Sequence, residues 1–310
     1  MKKITIWKQL CLGLILACGI QTAHSQQDPQ YTQYMYNTNL VNPAYAGSRD
    51  MMSIFGLYRT QWVGLDGAPQ TSTIALDTPL GDSKMGLGAS FTNDRLGAMD
   101  ENTIALDLSY TIDLSRSLKL GFGVKASANL LNVDYTKLDR YNPNDVKFQE
   151  NISNQFNPNV GAGLYLYSDK TYFGFSIPNF LETDRYDDNE VVLMKQKMTY
   201  YFIGGHVFDL SPSLKFKPAF LAKAVAGAPL QLDLTANFMI SDKFVIGGAY
   251  RWDAAFSGLV GFQVSDGLFV GYSYDAETTK LANYNSGSHE VFLRFELLNR
   301  HNRISSPRFF

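Results

Sequence analysis

The sequence predicts an all-β fold, a transmembrane antiparallel β-barrel of about fourteen strands with short periplasmic turns and longer extracellular loops. Three observations predict it. Alternating apolar and polar segments about ten residues long run through most of the chain. Beyond its first twenty-five residues no stretch is continuously apolar for the ~18 residues a transmembrane helix needs. The connections between the alternating segments are short at every second position and include all the long ones at the others.

The chain of 310 residues opens with Lys2, Lys3 and Lys8, an apolar run from Leu10 to Ile20, and the small-residue ending Ala23-His24-Ser25. That order reads as a secretory signal peptide over 1–25, cut after Ser25 and exported through the inner membrane. The rival reading, a lipoprotein cut before Cys18, fits Leu16 poorly. Both cysteines, Cys11 and Cys18, fall within the signal, so the mature chain is expected to hold no disulfide and no thiolate metal site. Loss of three lysines and no acids takes the formal charge from −2 to −5, which leaves no basic excess to suggest nucleic acid. Aromatics make up 14% of the chain and charged residues 18%, the latter below the ~25% usual in soluble domains. An exported chain of this kind is expected in the outer membrane, in contact with lipid.

Residues 26–50 form a segment of their own, periplasmic or luminal, and the barrel is expected over 51–310. The strand period of two puts successive side chains on opposite faces. In 117–130, Leu118, Leu120, Phe122, Val124, Ala126, Ala128 and Leu130 alternate with Ser117, Lys119, Gly121, Gly123, Lys125, Ser127 and Asn129. Residues 103–112 and 230–240 repeat the pattern. Fourteen strands are predicted to begin near 51, 70, 84, 102, 117, 159, 171, 197, 213, 229, 243, 254, 267 and 287. The strand near 254 is apolar on both faces, and Pro218 in the strand near 213 predicts a bulge or distorted pairing. The last strand sets Val291, Leu293, Phe295 and Leu297 against Glu290, Arg294 and Glu296, with Phe292 among the polar set.

The short connections read PLGDSK at 79–84, DLSRS at 113–117, SDK at 168–170, DLSPS at 209–213, SDK at 241–243 and SDG at 265–267, all rich in turn formers. The other side holds the long connections near 60–69, 93–101, 131–157, 178–196 and 276–286, with two short ones near 226 and 253. Short periplasmic turns and long extracellular loops are the usual asymmetry of such barrels. The inferred lumen carries both signs of charge: Arg59, Lys84, Asp107, Lys119, Lys125, Lys215, Lys217, Lys223, Asp233, Arg251, Arg294 and Glu296. A mixed wall leans toward a plugged interior over a selective channel.

Catalytic and metal chemistry find little support. After the signal only His206, His289 and His301 remain, no two at metal-ligand spacing, and no serine sits in a nucleophile elbow. The acidic stretch ETDRYDDNE at 182–190 lacks the spaced Asp/Asn–Gly pattern of a calcium loop and reads as a solvated loop. No cofactor is expected.

The run QDPQYTQYMYNTNLVNPAYAGS at 27–48 has no amphipathic period and offers Tyr31, Tyr34, Tyr36 and Tyr45 as large contact surfaces with polar tips. Composition favours an ordered lead-in packed into the barrel mouth. The sharper alternative is a docking element. This run resembles the opening of the PorP/SprF family of Bacteroidota outer-membrane proteins. YRTQWVGLDGAPQT at 58–71, LDLTANFMISDKFVIGGAYR at 232–251 and SPRFF at 306–310 resemble further blocks of that family.

The resemblance implies a component of the type IX secretion and gliding machinery. It implies a barrel needed for export or surface anchoring of a partner adhesin with a type B C-terminal domain, linked to periplasmic components. Within that reading, Gln33, Tyr34, Asn42, Pro43 and Tyr45 are candidates for docking, and Trp62 and Gly64 for cargo contact. Tyr34→Ala with Tyr45→Ala is then expected to leave assembly intact and impair cargo display. A passive outer-membrane channel for small solutes is the alternative.

Overall fold

A computed structural model describes residues 29–81, 83–137, 151–184 and 195–297. The strands, in chain order, are β1 (Met52–Thr60), β2 (Gln70–Pro79), β3 (Met85–Leu96), β4 (Met99–Asp113), β5 (Lys119–Val133), β6 (Ile152–Tyr167), β7 (Thr171–Ile177), β8 (Thr183–Asp184), β9 (Lys195–Gln196), β10 (Thr199–His206), β11 (Phe208–Ser211), β12 (Leu214–Val225), β13 (Gln231–Ile240), β14 (Phe244–Arg251), β15 (Ala255–Ser265), β16 (Leu268–Glu277) and β17 (Ser288–Leu297). β8 and β9 pair only with each other. β10 and β11 are one stave interrupted at Val207, and the remaining strands complete a closed antiparallel barrel of fourteen staves. The first and last strands seal the wall, from Met52↔Leu297 to Thr60↔His289.

All but one of the strands begin within three residues of the predicted position. The exception is β6, which starts at Ile152 where the periodicity suggested 159. The polar run Ser153-Asn154-Gln155 follows Ile152, and the outward apolar positions begin only at Phe156, so the period is hidden at this end of the strand. A bulge there, with Asn154 at φ 52°, hides the period further. The predicted long loop at 93–101 is instead a tight hairpin: β3 and β4 pair up to Leu96↔Met99, and Gly97 turns the chain at φ 57°. The polar composition that suggested a loop reflects a hairpin whose end is not apolar outside.

Pro218 keeps its register with β13, opposite Ala236, so no bulge forms on that side. On its other side β10 pairing begins at Ala219 and β11 pairing ends at Phe216. The proline thus lies opposite the break at Val207 in the neighbouring stave, where its missing N–H leaves no ladder bond unmade.

The wall obeys the alternation. Ile54, Ile74, Leu106, Phe122, Val124 and Leu293 point outward and are open to the surroundings, while their neighbours point inward and are buried. Exposed apolar side chains in this density are stable only in contact with lipid, where each needs no water shell. On one rim the turns are short; Ser241 and Asp242, both at φ 54°, form the mirror-type turn that matches strand twist. Exposed ion pairs lie along this rim, Lys84–Asp113 at 3.0 Å and Lys170–Asp209 at 2.5 Å. Lys84 and Lys215 belong to this turn region and not, as the alternation suggested, to the lumen.

Candidate functional site

Residues 29–50 run through the lumen. The segment has three short 3-10 turns, Tyr34–Tyr36, Thr38–Leu40 and Pro43–Tyr45, and no longer element, consistent with its lack of period. Gln30 lies near Arg251 and Gln231, on the long-loop side, and Arg49 reaches Glu296 at the short-turn end. Between them the chain descends the barrel and then turns up into β1.

Two kinds of contact hold it. Toward the long loops they are charged. Arg59, 2% exposed, bridges Asp275 (2.7 Å) and Glu290 (3.2 Å). The fully buried Glu290 accepts two consecutive backbone N–H groups of the segment, from Thr32 (3.0 Å) and Gln33 (2.9 Å). The Thr32 hydroxyl donates to Asp275 at 2.7 Å. Beside this cluster Arg251 donates to Asp233 (2.9 Å) and Gln30 (3.1 Å). Across the lumen Asn39 donates to Asp107 at 3.2 Å, and Lys125 pairs with the same carboxylate at 2.8 Å. Buried charges are tolerated when each is paired and hydrogen-bonded, which describes this wall.

Toward the short turns the contacts are aromatic and close. Tyr36 stacks on Phe269 and Phe292, and Phe292 on Phe55. This explains an inward phenylalanine on the last strand. Leu259 joins the same core, so β15 is apolar on both faces because one faces lipid and the other this segment. Lys217, fully buried, sits 5.8 Å from the Tyr36 ring centre and 5.9 Å from that of Tyr172. The backbone of 42–47 lies against the wall at glycines. A Cβ on Gly123 would come 2.2 Å from Ala44 N, and one on Gly86 would come 2.2 Å from Ala46 O. Ser109 and Ser176 donate at 2.7 Å to the carbonyls of Ala46 and Val41.

Gln33, Tyr34, Asn42, Pro43 and Tyr45 are therefore all buried within the lumen. Asn42 caps its own turn, accepting from Ala44 N at 3.0 Å, and donates to the Leu164 carbonyl at 2.9 Å. Tyr45 packs edge-on against Tyr165. The surface these five residues contact is the barrel's own wall, and none presents an accessible face for a second protein while the segment is seated. Trp62 and Gly64 lie apart from them, in the loop after β1. Trp62 (φ 47°) donates from its ring to Glu277 at 2.9 Å, and Val63 pairs with the loop before β17. Gly64 is exposed.

Of the predicted luminal charges, Arg59, Asp107, Lys125, Lys217, Lys223, Asp233, Arg251 and Arg294 are buried inside. Glu290, which the sequence places on the polar face of the last strand but not among the luminal charges, lies inside with Asp275 and with Arg49. The first two occupy inward positions of the strand period, so the period could have found them; Arg49 precedes any period. His206 receives or donates a 2.7 Å bond with Thr171 and meets Phe208 edge-on. Among the described residues no cluster of three or more His, Cys, Asp or Glu side chains is placed to hold a metal ion. The predicted signal peptide over 1–25 and most of the 182–190 stretch lie outside the described residues.

The family model of the type IX secretion system membrane protein PorP/SprF matches residues 23–295. The chain belongs to the PorP/SprF family. No curated protein matches it. Among solved structures, the Ralstonia pickettii toluene transporter TbuX aligns at 10% identity and TM-score 0.50, over 85% of this chain and 92% of that one. The CymD monoaromatic hydrocarbon channel aligns at 13% identity and TM-score 0.49, over 87% and 94%. A Pseudomonas aeruginosa FadL homologue aligns at 12% and 0.45, over 87% and 95%. At these identities the likeness speaks to fold alone. This PorP/SprF protein is an outer-membrane barrel by family and by fold.

Proposed function

We propose that this PorP/SprF protein is a non-enzymatic adaptor of the type IX secretion and gliding machinery, exported with a cleaved signal peptide. It anchors or passes on a partner adhesin with a type B C-terminal domain and couples that cargo to periplasmic components. The observation that carries the reading is the lumen: residues 29–50 fill it through paired charges and an aromatic core, an arrangement suited to a rigid platform and poorly suited to a pore. Cargo then meets the long-loop rim, where Trp62 and Gly64 lie, and the periplasmic machinery meets the short-turn rim. The five luminal candidates act, in this reading, by holding the segment in place. Deleting the gene and labelling intact cells for a neighbouring adhesin tests the proposal. Loss of surface label is expected; normal display would refute it.

A second reading, a passive channel for small solutes, draws on the polar half of the segment's contacts. Charged contacts can exchange with water more readily than an apolar core, so displacement of the segment would open a route. Conductance measurements separate the two readings.

A further inference from the structure

A cavity of about 130 Å³ remains inside the barrel, between the N-terminal segment and the inner faces of β3 to β6, closed by the residues that follow β7 and by Tyr201 of β10. It lies in the half of the lumen toward the long loops. Its lining is unlike either the charged cluster at Arg59 or the aromatic core below it. Asn129, Asn157 and Asn159 project from neighbouring strands, with Ser90, Thr92, Thr103 and Ser127 around them. Rings of Tyr31 and Tyr201 and the flat faces of Pro29 and Pro178 complete the walls.

Two buried polar atoms in this cavity have no protein partner. Asn129 and Asn157 stand directly opposite each other across β5 and β6 and are 8% and 6% exposed. The Asn129 amide nitrogen is used, donating to Thr103 at 2.9 Å and to Glu101. Its carbonyl oxygen is not, and neither is the Asn157 amide nitrogen. One acceptor and one donor thus face the same space, each carrying the desolvation cost of an unmade bond. Of the two other amides in the lining, Asn159 is already committed to the backbone of Leu181, and Asn179 is half-buried.

Charge narrows the ligand. The cavity holds one cation and one anion: Lys125 is paired with Asp107, and Glu101 accepts from Asn129 within the lining. An anion would gain no counter-ion, a cation would meet only a carboxylate already held by the Asn129 amide, and either would lose its hydration. A neutral molecule with hydroxyl groups fits better, since each hydroxyl both donates and accepts. The tyrosine and proline faces suit the C–H side of a ring. The volume is close to the roughly 150 Å³ that accommodates a benzene-sized ring, so the cavity takes the ring of one sugar with its outer substituents toward the cavity's open side.

We infer that this cavity binds a neutral sugar ring, as a monosaccharide or as the terminal unit of a glycan, with Asn157 donating to it and Asn129 accepting from it. The site goes beyond the adaptor role and does not depend on it.

The test uses the whole barrel in a zwitterionic detergent, because sugar-headed detergents would compete. Methyl glucoside, methyl mannoside, methyl galactoside and N-acetylglucosamine are examined by saturation-transfer NMR. At least one is expected to receive saturation, most strongly at ring C–H protons, and glucuronate and glucosamine are expected to receive none. Asn157→Leu is expected to weaken binding at least tenfold while the barrel keeps its heat-modifiable gel mobility. If that variant fails to fold, the nearly isosteric Asn157→Asp, which swaps the lone donor for an acceptor, should show the same loss. Silence from all four neutral sugars would mean that the cavity holds only water. That result, or binding that survives the Asn157 substitution, overturns the assignment.

Discussion

Glu290 illustrates how single residues hold the lumen closed. Its two oxygens take the N–H groups of Thr32 and Gln33, and Arg59 neutralises it from the side. Removing one member of a buried pair strands the other's charge, at about 3–5 kcal/mol. Glu290→Ala is therefore expected to release the upper segment locally. Hydrogen exchange at the Thr32 and Gln33 amides should quicken by about a hundredfold or more, following tenfold per ~1.4 kcal/mol; unchanged protection would show that the clamp contributes little. Tyr34 and Tyr45 bear differently on the account than their composition suggested. Both are buried, so Tyr34→Ala with Tyr45→Ala is expected to open cavities at the wall, and under the proposed function the expected loss of display comes through a loosened segment and not through a lost docking face. A sequence shows that four tyrosines in twenty residues want contact. It does not show whether the contact is a partner or the chain's own barrel, because that depends on where Gly86, Gly123 and Gly163 fall on strands far away in sequence.

Strands were the most legible elements, since an apolar stripe against lipid forces the period of two and a one-residue slip would turn every charge outward. Legibility ends where lipid ends. Beyond the apolar stripes, β3 and β4 continue to a two-residue hairpin whose polar outward faces erase the pattern without weakening the ladder, and β6 begins seven residues earlier than predicted because the polar run 153–155 and the bulge at Asn154 interrupt its period. Gly97 carries that hairpin at φ 57°. Gly97→Val should strain it by about 1–2 kcal/mol, read as a lower denaturant midpoint with an unchanged slope; no shift would mean the turn relaxes freely. The N-terminal segment was the least legible element. It has no period because it packs on all sides, with its backbone bonds going to wall side chains such as Ser109, Ser176 and Glu290.

At the scale of the whole molecule, one sheet separates two environments with opposite demands. Leu106 and Asp107 are adjacent; the first is 56% exposed on the outer face, and the second is buried against Lys125 and Asn39. Leu106→Arg should cost about 2–4 kcal/mol in a bilayer near the midplane, measured by reversible unfolding from vesicles, and a neutral result would contradict the assignment of this face to lipid. The inner face makes the stronger functional statement. A fourteen-stave barrel is wide enough to conduct, yet this one spends its width on its own residues 29–50. Family membership supplies the secretion system, and the filled lumen argues for a platform within it. Planar-bilayer recording from the intact purified protein tests that claim most directly. The account predicts silence under modest voltage, with discrete open steps only after residues 29–50 are deleted; steady open conductance from the intact chain would contradict it.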